Sequence, residues 1–180
     1  MIVKMKRRRK IAIIIICAAA AIAIIGAFAF WLTVRSAARK VMHDYLALHP
    51  SCYLLPERFL QGTGALPEDD SADILEKYHE ALDDLYSDFS PQKAAVYREL
   101  EENVLTRKFY ATHAETQIRK INSVKVRSFT EAKAFITVYK NIGYCSETGK
   151  NEKIEISCVY EIDMVYEAGT WKIITVFMHP

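Results

Sequence analysis

The feature that most constrains this chain is an uncharged apolar run at residues 11–34. At a rise of 1.5 Å per residue, a helix of this length reaches about 36 Å, enough to cross a hydrocarbon core of about 30 Å. Six lysines and arginines precede the run within residues 1–10. We therefore expect residues 11–34 to form one transmembrane helix that contacts the lipid bilayer.

A cleaved signal peptide is the competing interpretation, because Ala27, Phe28 and Ala29 together resemble a cleavage site with small residues at its ends. A signal peptide needs an apolar core of only roughly 7–15 residues, and this run continues well past that length. Trp31 stands near its end, where indole rings favour the lipid–water interface. These observations favour a retained anchor over a cleaved one.

Cations on the two sides of the span predict its orientation. Six precede it, whereas three follow it closely: Arg35, Arg39 and Lys40. The excess on the N-terminal side places that end in the cytoplasm. The expected organisation is a cytoplasmic basic tail (1–10), a transmembrane helix (11–34), a juxtamembrane helix and linker (35–66) and an extracytoplasmic α+β domain (67–180).

The formal net charge of +2 conceals a segregation of charge along the chain. Six of the 24 lysines and arginines lie before the span, which leaves 18 cations against 22 carboxylates, a net charge of −4 beyond it. Proteins that bind nucleic acid carry basic folded domains. The composition therefore argues against a nucleic-acid partner.

Helical periodicity is strongest in the middle of the chain. Residues 35–48 are expected to continue as a helix until His49 and Pro50, because the residue before a proline is displaced from helical backbone angles. A second helix is expected after Pro67, with Asp70 or Ser71 as its N-cap. Its apolar stripe consists of Ile74, Leu75, Tyr78, Leu82, Leu85, Tyr86 and Phe89. A further helix is expected to start at Ser90–Pro91. Its apolar face consists of Ala94, Tyr97, Leu100 and Val104.

Alternating polarity predicts strands in the last third of the chain. They cover residues 124–127, 134–144, 154–166 and 171–178, and residues 115–123 give no clear pattern. Ala168 and Gly169 form a tight turn between the last two strands. This turn predicts that Tyr166 faces Trp171, Met164 faces Ile173, Ile162 faces Thr175 and Tyr160 faces Phe177. The last strand is then apolar on both faces, because Ile174, Val176 and Met178 occupy the other one.

Helices followed by a meander of about four strands indicate an α+β fold in which helices pack on a curved antiparallel sheet. This order, with Thr170, Trp171, Lys172 and Ile173 following the last turn, resembles the nuclear-transport-factor-two-like (cystatin-like) cone. Combined with one N-terminal anchor, it is similar to bitopic assembly factors of type IV secretion and conjugation systems. The resemblance covers residues 67–180 and implies no functional residue at a numbered position.

The cysteines beyond the span admit two interpretations. Cys52, Cys145 and Cys158 lie in a compartment where disulfides form. Cys145 and Cys158 border neighbouring strands, yet a symmetric hairpin about Gly149 and Lys150 offsets them by roughly 13 Å, beyond the Cα separation of about 7 Å that a bridge allows. A bridge between them requires a shifted register, and free buried thiols are the alternative.

No motif for a metal, a cofactor or a catalytic reaction stands out. The five histidines lack ligand spacing near the cysteines, and the acidic residues Glu76, Glu80, Asp83, Asp84 and Asp88 fit a solvated helix face. Asp163 and His113 are the side chains that a cone-shaped pocket would use as a base, but Asp163 falls on the polar face of its strand. We therefore expect no enzyme, no cofactor, no metal site and no catalytic residues.

The functional expectation follows from an anchor joined to a domain without catalytic motifs. We expect a single-pass protein of a Gram-positive-type cell membrane, with its N-terminus in the cytoplasm, acting as an extracytoplasmic interaction or scaffold module. Its partners would be other envelope proteins or a second copy, as in a conjugation-type secretion complex. An uneven charge distribution, acidic at 68–102 and basic from Arg107 to Lys140, suits oriented assembly. The alternative is a tethered small-ligand-binding or hydrolytic domain.

Overall fold

The computed structural model describes residues 2–55, 67–106, 110–145 and 151–179. Contacts divide the chain into two units, Met1–Val34 and Arg35–Pro180. The helices are α1 (Ile2–Leu48), α2 (Glu68–Leu85) and α3 (Lys93–Thr106); the strands are β1 (Tyr110–Val126), β2 (Glu131–Cys145), β3 (Asn151–Glu167) and β4 (Thr170–His179).

The first unit is the N-terminal part of α1. Its apolar side chains are exposed, as for Ile16, Ile22 and Ile25, and the helix from Ile13 onward is long and apolar enough to cross a membrane. A helix that is apolar on every side is stable where lipid replaces water. The expected N-terminal apolar helix is therefore confirmed.

The second unit is built on one antiparallel sheet with the strand order β1-β2-β3-β4. We define its inner face as the one that carries Ile136 and Val138 of β2 and Ile162 and Met164 of β3, all at most 2% exposed. Helices pack on this face: the ring of Tyr45 on α1 contacts Tyr160 on β3 at 5.8 Å between ring centroids. The α+β architecture predicted from the sequence is confirmed.

The C-terminal part of α1 belongs to the core of this unit. Ala38 and Met42 are fully buried and Leu46 is nearly so, at the spacing of four that places residues on one side of a helix. The helix ends at Leu48, as the following His49 and Pro50 predict. Tyr78 of α2 donates a hydrogen bond to the carbonyl of Leu48, so two helices meet where α1 ends.

Strand β1 includes residues 115–123, in which no alternating pattern is evident, and β-bulges explain why. Its register with β2 shifts between Ala111 and His113, between Ile118 and Lys120, and between Ile121 and Ser123. Each bulge adds one residue to the strand, so the side chains that follow it point to the opposite faces of the sheet from those expected by simple alternation. The most buried positions beyond the first shift, Ile121 and Val124, are consequently three residues apart rather than two. The same bulges bend the strand and curve the sheet.

The register of β3 and β4 was predicted correctly only next to the turn. Tyr166 faces Trp171 and Met164 faces Ile173, but a bulge at position 174 then places Asp163 opposite Thr175 and Tyr160 opposite Met178. The predicted pairs of Ile162 with Thr175 and of Tyr160 with Phe177 are therefore wrong. The bulge also explains why β4 has apolar residues at both odd and even positions. Ile173 and Val176 are both buried, because the extra residue between them turns both side chains to the same face of the sheet.

Two helix details also differ from the prediction. Helix α2 begins at Glu68 with Pro67 as its N-cap, three residues earlier than an N-cap at Asp70 implies, and the amide of Ser71 already donates to the Pro67 carbonyl. The helix ends at Leu85 because Tyr86 becomes extended and forms a bridge with Ile173 of β4. Phe89 therefore lies outside the apolar stripe and is 84% exposed.

The register of β2 and β3 contradicts the disulfide between Cys145 and Cys158. Cys145 pairs with Asn151, and Cys158 pairs with Val138, seven positions away along β2. At about 3.3 Å per residue this separation is roughly 23 Å, far beyond the reach of a disulfide. Cys158 and Cys52 are free buried thiols.

Candidate functional site

A charged side chain lies inside the second unit, on the inner face of the sheet. Lys140 is only 7% exposed, because it shares the inward parity of Ile136, Val138 and Ile142 on β2. Its Nζ donates a hydrogen bond to the hydroxyl oxygen of Tyr160 at 2.8 Å and lies 3.8 Å from the Sδ of Met178. The charge pattern grouped Lys140 with the basic residues that suit oriented assembly, and its burial contradicts that placement.

The residues around Lys140 are neutral at pH 7. Burial, with a smaller contribution from the charge of Lys140, lowers the pKa of His49 to about 4. Burial raises the pKa of the Cys52 thiol and that of the Tyr160 hydroxyl. A protonated thiol is a poor nucleophile, so this group, which we call the inner cluster (His49, Cys52, Lys140, Tyr160), offers a buried amine and hydrogen-bonding groups.

Asp163, the acidic side chain considered as a base, lies on the opposite, outer face of the sheet. Its carboxylate is 3.2 Å from the Nζ of Lys133 and 3.3 Å from an Nη of Arg127. Lys133 also bonds Glu161, and this hydrogen bond, followed by that of His179, lowers the pKa of Glu161. Asp163 is therefore part of an ion-pair ladder across β2 and β3 and faces away from the inner cluster.

The other residues considered from the sequence are dispersed. His113 is exposed on β1 opposite Gly143. Asp83 on α2 and Asp88 in the turn after it both pair with Lys93, and the hydrogen bond from Lys93 lowers the pKa of Asp83. Among the described residues, no group of three or more His, Cys, Asp and Glu lies close enough together to hold a metal ion.

The outer edge of β4 is covered over part of its length by the connection between α2 and α3. The hydroxyl of Ser90 donates to the carbonyl of Ile174 at 2.6 Å. The side chain of Gln92 accepts a hydrogen bond from the amide of Val176 at 2.7 Å and donates to its carbonyl at 3.0 Å. Gln92 thus replaces the partner strand that an edge would otherwise lack.

The last three described residues of β4, which we call its free end (177–179), are exposed. Phe177 and Met178 are each 51% exposed. His179 Nε2 lies 3.2 Å from the carboxylate of Glu161. At the edge of the sheet, the free end therefore exposes Phe177 on the outer face, opposite Glu161, and part of Met178 on the inner face, opposite Tyr160.

A cleft of about 550 Å³ opens between α1 and β1. Helix α1 contributes Ser36, Arg39, Lys40 and His43, and β1 contributes Thr116 and Gln117. We call this the basic cleft. Sequence reasoning recognised Arg39 and Lys40 as flanks of the membrane span, but the bulged β1 strand gave no signal that the sheet lies beside them.

Comparison with known proteins identifies the fold. The sequence matches no protein-family model, and no curated protein is significantly similar to it. The intermembrane space region of the chloroplast protein ARC6 is similar in structure, with a TM-score of 0.53 and 11% identity over 78% of this chain and 92% of that one. A protein assigned as a scytalone dehydratase from Novosphingobium aromaticivorans DSM 12444 has a TM-score of 0.53 and 15% identity over 84% and 87% of the two chains.

These similarities concern the fold alone, because both sequence identities are far below the level at which two proteins are expected to share a function. They agree with the architecture described above, in which helices cover one face of a curved four-stranded antiparallel sheet. The chain therefore contains a nuclear-transport-factor-two-like cone fold, preceded in sequence by a helix that is apolar and long enough to span a membrane.

Proposed function

We propose that this protein is a membrane-anchored scaffold whose cone domain binds another envelope protein outside the cytoplasm. The observation that carries the proposal is the free end of β4. Phe177 and Met178 expose large apolar side chains where Gln92 no longer covers the edge of the sheet. Exposed apolar residues at an uncovered sheet edge are typical of a surface that receives a partner segment.

The packing of the inner face supports the same proposal. Ala38, Met42 and Leu46 of α1 lie in the core, so the chain itself occupies much of the concave side on which a cone domain would hold a ligand. The surface that remains for recognition is the outer face, the sheet edges and the turns. Within this proposal the partner is a subunit of a conjugation-type secretion complex, and the N-terminal tail lies in the cytoplasm.

Site-specific photocrosslinking in intact membranes tests the scaffold. A benzophenone amino acid replaces Phe177 in the full chain, and the control carries it at Phe89, which is also exposed but lies in the turn after α2. We expect one discrete crosslinked membrane protein, or a crosslinked dimer of this chain, from position 177 and no such product from position 89. A folded protein that gives no discrete product at 177 would contradict the proposal.

A second function, binding of a small anionic ligand, is favoured by the inner cluster. Within the described residues, the hydrogen-bonding partners of the Lys140 ammonium are Tyr160 and Met178, and neither carries a negative charge. A buried cation is costly without a counter-ion. A carboxylate ligand that reached it would supply this charge.

Thermal unfolding with a panel of small carboxylates distinguishes this second function. We expect a stabilising ligand to raise the unfolding midpoint of the wild-type protein but not that of Lys140→Met. The control, Lys133→Met, removes a cation from the outer face and retains the ligand effect. An equal shift in Lys140→Met, or no shift with any compound, would contradict ligand binding at the inner cluster.

A further inference from the structure

The basic cleft combines cationic and hydrogen-bonding groups on one side of α1. Ser36, Arg39, Lys40 and His43 are spaced by three, four and seven residues, which places them on neighbouring positions of one helical face. His43 Nδ1 lies 3.3 Å from the carboxylate of Asp44, so Arg39 and Lys40 supply the positive charge. Thr116 on β1 adds a hydroxyl on the opposite wall, which Gln117 also lines.

The chemistry of this lining suits an oxygen-rich anion. Guanidinium and ammonium groups form charge-assisted hydrogen bonds with phosphate oxygens. The floor, in contrast, is apolar, because Leu46 and Ile118 line it. A cleft with a cationic mouth and an apolar floor matches a phosphate that is joined to a hydrocarbon or glycerol group.

Strand β1 is an edge of the sheet, which adds to the donors available in the cleft. Within the described residues, β1 pairs along its length with β2 alone, apart from a bridge between Ala111 and Leu54. Alternate backbone amides of such an edge are directed away from the sheet. The guanidinium of Arg35 donates to the carbonyl of Ile121 at 3.2 Å. This bond links the first residue of the second unit to β1 and fixes one end of the cleft.

The position of the cleft in the chain places it close to a membrane surface. Arg39 and Lys40 follow the last residue of the predicted span, Val34, by five and six positions, which corresponds to about 8 Å of helix rise. The headgroup layer on each side of a bilayer is about 5–8 Å thick. A lipid phosphate therefore lies within reach of these side chains.

We propose that the basic cleft binds the phosphate of a glycerophosphate ester, held by Arg39 and Lys40 with the hydroxyl and amide groups of β1. The source that fits the apolar floor is an anionic phospholipid headgroup. A soluble glycerol phosphate carries the same anion without the acyl chains. This site is separate from the free end of β4 and does not depend on the scaffold function.

The test uses the full chain in nanodiscs with an equimolar mixture of phosphatidylcholine and phosphatidylglycerol. Native mass spectrometry measures which lipid is retained when the protein is released. The variant is Arg39→Gln/Lys40→Gln. The matched control is Lys77→Gln/Arg98→Gln, which removes two exposed cations from α2 and α3 and leaves the net charge equal to that of the variant.

We expect wild type and control to retain phosphatidylglycerol preferentially. Since each basic residue near an anionic surface contributes about fivefold in affinity, the double variant should lose roughly 20-fold of that preference. An equal preference in variant and control would overturn the proposal. In a second arm, sn-glycerol 3-phosphate is added to the detergent-solubilised protein. Stabilisation that depends on Arg39 and Lys40 there, without lipid preference, would identify the soluble ester as the source.

Discussion

At the scale of single residues, the inner cluster shows how parity and burial override side-chain type. Lys140 lies inside because its neighbours at two-residue spacing are inward-facing. Burial of the His49 imidazole, with a smaller contribution from the charge of Lys140, lowers its pKa to about 4 and keeps it neutral at pH 7. His49 still accepts a hydrogen bond from the amide of Ser51 at 3.2 Å through Nδ1. The residue therefore stabilises the turn after α1 only while it is unprotonated.

The first prediction concerns the pH dependence of stability. His49 titrates near its ordinary pKa of 6.5 when unfolded and near 4 when folded. Between these values the unfolded state binds more protons, so the free energy of unfolding falls as the pH drops from about 6.5 to 4, by about 2–3 kcal/mol in total. Thermal unfolding of the detergent-solubilised protein, followed by circular dichroism across this pH range, measures the loss of stability. His49→Asn should remove most of this loss.

A control separates His49 from the outer-face carboxylates. The pKa of Glu161 is lowered below 4.5 by Lys133 and His179, so Glu161→Gln should change the profile only at lower pH. A pH profile of His49→Asn that is identical to that of the wild type between 6.5 and 4 would show that another group is responsible.

At the scale of elements, the sequence predicted the regular parts and failed at the bulges. β3 alternates over its whole length and pairs without a break with β2, so its pattern was sufficient. β1 and β4 contain bulges, which change parity without leaving a residue type that marks them. Lys140 has the two-residue spacing of the inward-facing Val138 and Ile142, but a charged side chain is typical of the surface. His49 and the basic cleft depend on contacts distant in sequence, which no local pattern contains.

The second prediction tests the protection of the β4 edge. Gln92→Ala removes both hydrogen bonds to Val176 and leaves the edge longer and uncovered. We expect a loss of about 1–3 kcal/mol in the free energy of unfolding, from chemical denaturation, and faster aggregation on mild heating. Gln117→Ala, the same change on the exposed side of β1, should change stability by less than about 0.5 kcal/mol. Equal effects of the two substitutions would argue against edge protection by Gln92.

At the scale of the whole molecule, charge is separated between the two sides of the apolar helix. The residues before it carry six cations, and those beyond it carry a net charge of −4. Lysines and arginines near the span determine orientation, and six before the helix against three soon after it favour insertion with the basic end in the cytoplasm. Of the four native cysteines, Cys52 and Cys158 are buried and Cys17 lies in the apolar helix, so Cys145→Ser is the background in which an introduced surface cysteine is labelled.

The third prediction therefore concerns topology. Asp88→Cys lies at an exposed position after α2 and should react with a membrane-impermeant maleimide in intact cells. Lys4→Cys in the basic tail should react only after permeabilisation. The reverse pattern would show the opposite orientation, and labelled protein free in the medium, starting after Ala29, would show that the anchor is cleaved.

The early position of a core helix has a consequence for biosynthesis. Tyr45 of α1 packs against Tyr160 of β3, so the first helix of the folded unit obtains its partner only after more than a hundred further residues have been made. At 5–20 residues per second this delay is roughly 6–20 s. During that time the apolar face of the helix from Ala38 to Leu46 is exposed on the nascent chain. Until β3 has been synthesised, these residues lack the strand that covers them in the folded unit, so correct folding depends on their not binding elsewhere first.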